Sequence, residues 1–189
     1  PIGAKNYQFI NPFSLDPNNQ NTMYLAGGKY LWRNDKLNEI VLDDKNDSIA
    51  LGWTRGIDSV AIPNITITAL HVCKTPLNRV YYGSGSKRVY RVDSAHIGLM
   101  KPTDITVNNV LPSGSVSCIT ADPTNGDKVI VTYSNYGIYS MFYSENAGKS
   151  WQKIAGNLEQ NSNGSGNGPS VRWVSILPVE NGKIYLVAT

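Results

Sequence analysis

The stretch Leu15-Asp16-Pro17-Asn18-Asn19, continued by Met23-Tyr24-Leu25-Ala26-Gly27-Gly28 and Tyr30-Leu31-Trp32-Arg33, decides how the chain is read. A near copy follows in Lys74-Thr75-Pro76-Leu77-Asn78, Val80-Tyr81-Tyr82-Gly83-Ser84-Gly85 and Arg88-Val89-Tyr90-Arg91. A third reads Ala121-Asp122-Pro123-Thr124-Asn125, Val129-Ile130-Val131-Thr132-Tyr133 and Gly137-Ile138-Tyr139-Ser140. A fourth begins at Leu177-Pro178-Val179-Glu180-Asn181 and runs on through Ile184-Tyr185-Leu186-Val187-Ala188. Each copy spells strand, Pro-Asn turn, strand, glycine-containing tight turn, strand. Proline presets φ at a turn and is barred from a central strand, while Asn and Gly accept the positive φ of tight turns.

Alternating runs such as Ile65-Thr66-Ile67-Thr68-Ala69-Leu70 and Val116-Ser117-Cys118-Ile119-Thr120 supply the strand before the turn. Pro17, Pro76, Pro123 and Pro178 recur at intervals of 47 to 59 residues, so one structural unit is repeated with loops of variable length. A period of roughly 45 to 60 residues with four strands per unit is the mark of a β-propeller blade. A β-sandwich also has short strands and frequent turns, but it does not require the same turn grammar four times. The chain is therefore expected to be all-β, a propeller segment over residues 1–189 with four-stranded antiparallel blades at 7–56, 65–110, 115–156 and, in part, 171–189. The fourth strands are expected at Ile49–Thr54, Ile105–Val107 and Trp151–Ile154. Three units and half of a fourth predict an incomplete propeller, its exposed edges covered by missing blades or by a second copy.

Of the residues, 41% are hydrophobic, 10% aromatic and 16% charged, which is too apolar for a disordered chain. A net charge of +3, from 17 basic and 14 acidic residues, is scattered without a run longer than Lys87-Arg88. That pattern argues against nucleic acid as a partner. No stretch approaches the roughly 18 apolar residues of a membrane span. Cys73 and Cys118 lie in apolar strand-like runs and read as buried thiols instead of a disulfide.

Ser144-Glu145-Asn146-Ala147-Gly148-Lys149-Ser150-Trp151 resembles the Asp box, or BNR repeat, of pattern Ser-x-Asp-x-Gly-x-Thr-Trp, with Asn146 and Ser150 in place of Asp and Thr. Physically it is a self-bonded hairpin turn: the Asn side chain bonds the turn backbone, Gly148 takes the strained φ, and Trp151 packs as an anchor. Proteins with such turns include sialidases, xyloglucan-degrading glycoside hydrolases, sortilin-like receptors and a photosystem assembly factor. A broader resemblance rests on Leu15-Asp16-Pro17, Met23 to Gly28, Leu31-Trp32-Arg33, Ser134-Asn135-Tyr136 and Gly156-Asn157-Leu158-Glu159-Gln160-Asn161. It continues through Gly164 to Ser170 and Arg172-Trp173. These segments are similar to the propeller region of large secreted surface proteins of polysaccharide-degrading, gliding bacteria. The resemblance implies a propeller and a secreted or cell-surface location, and it brings no assured reaction.

For catalysis, a sialidase would need three arginines around a substrate carboxylate, with a tyrosine nucleophile and an acid/base Asp. Arg33, Arg55, Arg79, Arg88, Arg91 and Arg172 are available, but Arg33 and Arg91 hold equivalent positions in successive units, which favours a repeated structural role. Arg55 and Arg172 are not explained by the repeat and stand as ligand candidates. Asp16 and Asp122 precede repeat prolines, so turn capping is expected of them in preference to glycoside hydrolysis. His71 and His96 lack neighbouring metal ligands, and Asp43-Asp44-Lys45-Asn46-Asp47 lacks the glycine and terminal glutamate of an EF-hand loop. No metal and no cofactor are expected. Among many aromatics, Trp53, Tyr136 and Trp173 are the rings expected at loop tips, where they could stack on sugar faces. Residues 161–169 have the composition of a flexible linker, and Asn46, Asn64 and Asn163 match the Asn-x-Ser/Thr pattern by chance in an asparagine-rich chain.

The expected function is recognition or scaffolding by a secreted or cell-surface propeller that handles a polysaccharide or other glycan and is not catalytic by itself. Two alternatives stay open: part of a glycoside hydrolase of sialidase-like or xyloglucanase-like type, and a sortilin-like protein-binding platform.

Overall fold

The computed structural model describes residues 3–41, 49–57, 65–107, 109–159, 161 and 168–189. Asp43 to Asp47, the three Asn-x-Ser/Thr sites and most of the Gly/Ser/Asn run lie outside them. The described residues form four antiparallel sheets. The first holds β1 (Phe13–Asp16), β2 (Asn19–Gly27), β3 (Tyr30–Asn34) and β4 (Trp53–Arg55), in that order. The second holds β5 (Ile67–Val72), β6 (Val80–Ser84), β7 (Val89–Val92) and β8 (Thr103–Asp104). The third holds β9 (Val116–Asp122), β10 (Asn125–Tyr133), β11 (Met141–Ser144) and β12 (Gln152–Lys153), and the fourth is the hairpin of β13 (Trp173–Val179) and β14 (Gly182–Ala188). Two short 3-10 turns, Leu37–Glu39 and Gly156–Leu158, are the helical elements among the described residues.

The inner strands stand side by side: β1 next to β5, β5 next to β9, β9 next to β13. The second and third sheets thus each present one face to the sheet before and one to the sheet after. Strand alternation fills both layers at once. In β6, Val80 and Tyr82 enter the layer against the first sheet, whereas Tyr81 between them enters the layer against the third. In β10, Val129, Val131 and Tyr133 face the second sheet and Ile130 faces the fourth. A sheet buried on both faces reads as a continuous apolar run, as Val129-Ile130-Val131 does. Cys73 and Cys118 are both buried and unpaired, and they lie in different layers.

The repeated turns work as their residue types dictate. Asp16 accepts a hydrogen bond from the Asn18 amide at 2.8 Å, and Asp122 accepts one from the Thr124 amide at 2.8 Å. Asn19 and Asn125 do the same for the amides of Asn21 and Asp127, two residues further on, at 3.1 and 3.0 Å. These Asx turns reverse the chain at the same place in the first and third sheets.

Three details differ from expectation. Pro178 lies inside β13, opposite Lys183, and the reversal falls at Glu180-Asn181, so the fourth copy is out of step with the other three. In its two-stranded sheet β13 is an edge strand, which tolerates a residue without an N–H. The outer strand of the second sheet is Thr103–Asp104, upstream of the expected Ile105–Val107, because Asp104 accepts the Thr106 amide at 2.9 Å and turns the chain. Ile105, inside that turn, is buried as core and donates its amide to the Val89 carbonyl at 2.9 Å. In the first sheet β4 starts only at Trp53, after Gly52 at φ 78°.

Candidate functional site

Strand direction sorts the candidate residues between the two ends of the sheets. The end at which β2 turns into β3 is also where β1, β5, β9 and β13 begin and where β4 finishes, as the pairs Phe13–Leu25, Gly27–Tyr30 and Trp32–Arg55 show. Arg55, Tyr136, Arg172 and Trp173 all belong to this upper end: Arg55 closes β4, Tyr136 sits between β10 and β11, and Arg172-Trp173 opens β13. Trp53 does not. It pairs with Asn34 at the lower end, is half-buried, and has a buried indole nitrogen without a hydrogen-bond partner. Trp53, expected as an exposed loop-tip ring, is instead the half-buried first residue of an outer strand.

At the upper end the mouths of the four inner strands surround a pocket of about 230 Å³. Ile10, Phe13, Leu70, Ile119 and Trp173 supply its apolar wall. Trp173 is 59% exposed and Phe13 65%, so two aromatic rings stand open at the hub. The hydroxyls nearby are already engaged: Thr68 donates to the Val116 carbonyl at 2.6 Å and Ser117 to the Val171 carbonyl at 2.9 Å. The pocket therefore offers ring faces and methyl groups instead of unsatisfied polar atoms. Tyr136, 72% exposed, projects from the neighbouring β10–β11 connection, where Asn135 accepts the Ser115 amide at 2.7 Å. Phe13 and Ile10 were not singled out from sequence; the alternation of Phe13 with Leu15 marked one outward face of β1, but only the convergence of four strands makes that face a pocket wall.

Among the described residues no carboxylate lines the pocket, and the two that precede repeat prolines cap turns at the lower end. Burial alone would raise the Asp122 carboxyl, but hydrogen bonds from Lys183 and from the Thr124 hydroxyl and amide outweigh it and hold it at about 2. Of the histidines, His71 is part of β5, and burial pulls its imidazole down to about 4.

The arginines at equivalent positions, Arg33 opposite Tyr24 and Arg91 opposite Tyr81, make equivalent contacts. Arg33 donates from Nη1 to the Ala95 carbonyl at 2.7 Å, and Arg91 from Nη1 to the Ala147 carbonyl at 2.8 Å. Each reaches from the third strand of its sheet to the outer turn of the next sheet, and each is flanked by an aspartate two residues on, Asp35 and Asp93. They staple sheet to sheet.

The turn from Ser144 to Trp151 receives the second of these staples. Ser144 Oγ accepts the Gly148 amide at 2.9 Å, Asn146 Oδ1 accepts the Ser150 amide at 2.9 Å, and Asn146 Nδ2 donates to Ser150 Oγ at 2.8 Å. Gly148 has φ 85°, and a Cβ there would come within 2.5 Å of the Ile105 side chain. Trp151 donates from its indole to the Ile105 carbonyl at 2.8 Å. The turn is thus bonded within itself and wedged against the second sheet.

The chain is similar to the GH74 xyloglucanase from Xanthomonas campestris, with a TM-score of 0.58 and 16% identity over 86% of this chain and 24% of that one. It is also similar to an ancestral GH74 enzyme, with a TM-score of 0.55 and 15% identity over 96% of this chain and 22% of that one. The fold is that of a β-propeller. A GH74 enzyme of Niastella koreensis aligns with a TM-score of 0.44 and 17% identity over 75% of this chain and 28% of its own. The propeller segment spans about a quarter of the length of these enzymes. No family model matches the chain, and no curated protein matches it.

Proposed function

We propose that this propeller segment is a glycan-recognition module of a secreted or cell-surface protein, with polysaccharide bound at the upper mouth of the hub and no hydrolysis performed by the segment itself. The observation that carries the reading is the open pair of rings, Trp173 and Phe13, over an apolar pocket of about 230 Å³ that no carboxylate among the described residues lines. Pyranose rings present apolar C–H faces that stack on aromatic side chains, and a site built that way binds without needing the two carboxyl groups of a glycosidase. Tyr136 and Arg172, at the same end, extend the surface along which a chain of sugars can lie. The likeness to xyloglucanases supports a carbohydrate-related role. The Ser144–Trp151 turn is read as an Asp box with a structural part, and the units at 7–56, 65–110, 115–156 and 171–189 as successive blades of one propeller segment.

The test is affinity electrophoresis or calorimetry with xyloglucan and related soluble glucans. Binding that Trp173→Ala weakens at least tenfold is the expected outcome, with Trp53→Ala as the control that leaves it unchanged. Release of reducing ends by the purified segment would overturn the non-catalytic reading in favour of a glycoside hydrolase, and absence of binding to every glycan tried would overturn recognition in favour of a protein-binding platform.

A further inference from the structure

The upper turns of the first three sheets each carry a residue in the left-handed backbone region, and one of the three is not a glycine. Gly28 follows β2 at φ 62°, and Gly137 lies between β10 and β11 at φ 73°. Between β6 and β7 the same conformation belongs to Lys87, at φ 61°. A Cβ is crowded there, which makes glycine the default residue. Lysine thus stands at the position against its backbone preference, and a side chain held under such strain marks a candidate functional position.

Lys87 borders a pocket of about 270 Å³, together with Arg88 of the same turn, Asp104 of β8, Thr106 and Asn109. The polar groups there are set in place by bonds behind them. Asp104 Oδ2 accepts from Arg88 Nη1 at 2.6 Å, Asp104 Oδ1 accepts the Thr106 amide at 2.9 Å, and the Thr106 hydroxyl accepts the Val89 amide at 3.0 Å. The Lys87 main chain is pinned on both sides: its amide donates to the Gly114 carbonyl at 2.6 Å, and its carbonyl accepts the Tyr133 hydroxyl at 3.0 Å. Asn109 shares the left-handed backbone, at φ 53°. Arg88 and Asp104 stay 39% and 40% exposed, so the carboxylate keeps lone pairs and the guanidinium keeps N–H groups for a ligand. The lining mixes donors with acceptors and one sign of charge with the other. Sugar hydroxyls, each a donor and an acceptor at once, match such a lining, whereas an ion of either sign would meet a like charge.

We propose that this pocket is a second subsite for the polysaccharide, holding a neutral sugar residue by its hydroxyls through Lys87, Asp104 and Asn109. The inference rests on the glycan reading above and adds a site to it. The β6–β7 turn lies at the same upper end as the hub mouth. Tyr136, 72% exposed, rests on the same support as the pocket: Gly114 receives the Lys87 amide, and the next residue, Ser115, donates its amide to Asn135, which precedes Tyr136. A sugar chain leaving the hub therefore finds a ring to stack on beside a pocket that takes hydroxyls.

The experiment measures xyloglucan binding by calorimetry alongside the thermal unfolding of each variant. Glycine accepts the left-handed backbone, so Lys87→Gly and Asn109→Gly remove the side chains without straining the chain. Each should weaken binding several-fold and the double variant at least tenfold, with an unfolding midpoint that is unchanged or raised. Unchanged affinity in the double variant, or a loss of binding matched by a lowered midpoint in Lys87→Gly, would overturn the proposal. Tighter retention of polygalacturonate than of xyloglucan would make the ligand ionic and overturn it as well. Binding that Trp173→Ala abolishes and the double variant leaves intact would sink this inference and leave the hub reading standing. Binding lost in the double variant but indifferent to Trp173→Ala would sink the hub and leave this subsite. Absence of binding to xyloglucan and to related soluble glucans overturns both.

Discussion

The seam between the second and third sheets and the seam between the third and fourth are built from the same positions with different residues. In the first of these seams Arg91 reaches the Ala147 carbonyl, Trp151 bonds the Ile105 carbonyl, Arg79 pairs with Asp127 across the layer, and Tyr81 donates to the Gly126 carbonyl at 2.8 Å. Its core runs from Ala69 to Trp151. In the second seam the residue equivalent to Arg91 is Tyr143, opposite Ile130, and it meets Tyr185 with ring centroids 6.5 Å apart. Among the described residues one ion pair, Asp122 with Lys183, spans that layer. Beyond it, Ile184, Tyr185 and Leu186 of β14 are exposed. Hydroxyl bonds near the inner strands, Ser117 to the Val171 carbonyl at 2.9 Å and Ser170 to the Ser134 carbonyl at 2.6 Å, tie the second seam at its upper end, but toward its rim an aromatic contact and an ion pair stand where the first seam has an arginine and an indole bond.

Trp151→Ala has the largest expected effect. It removes a buried ring and its indole bond, and chemical denaturation should show a loss of about 3–5 kcal/mol. Arg91→Met comes next: it frees the Ala147 carbonyl and leaves Asp93 with Arg79 alone, an expected cost of about 1.5–3 kcal/mol. Hydrogen exchange should then rise at the Ser144–Trp151 turn before it rises in β10.

Acid should act on the other seam. The folded Asp122 carboxyl sits at about 2, below its ordinary 3.8, so its contribution is fully present above about pH 4 and is lost as the pH falls toward 2. That change is about 2 kcal/mol. Following β14 by hydrogen exchange through this window should show it loosening ahead of the second sheet, and Lys183→Met should abolish most of the pH dependence. A seam that loosened uniformly with the rest of the molecule would show that Asp122 is not its holding charge. Tyr185→Ala is the smallest effect, under about 1 kcal/mol, because the ring is already 38% exposed. Finally, burial pushes the Cys73 thiol up to about 12 and the Cys118 thiol to about 11, so both should resist alkylation in the native protein. Cys118, in the weaker seam, should react first as denaturant is added.

The repeat units were legible in sequence because their punctuation is local. Asp16-Pro17-Asn18 and Asp122-Pro123-Thr124 make turns from hydrogen bonds that span two residues, and alternation from Val129 to Tyr133 states which faces are buried. Equivalence between Arg33 and Arg91 was also legible, and so was a structural role for them. What they bond was not, since Ala95 and Ala147 are 62 and 56 residues away and are reached through backbone carbonyls, which any residue supplies. Pro178 misled for the opposite reason. It matched the turn pattern of the other copies, yet a strand with only one partner has room for it.

By itself, then, the sequence determined an all-β repeat architecture, the self-bonded turn from Ser144 to Trp151, and the burial of both thiols. These follow from period-two patterning and from residues whose conformational preferences act within a few positions. Only the tertiary structure decided which candidates share a place. It put Trp173 beside Phe13 at the hub mouth and Arg55 over Tyr30, and it sent Trp53 to the far end of its sheet. Strand direction and register set those positions, and both depend on pairings between segments that no local preference specifies.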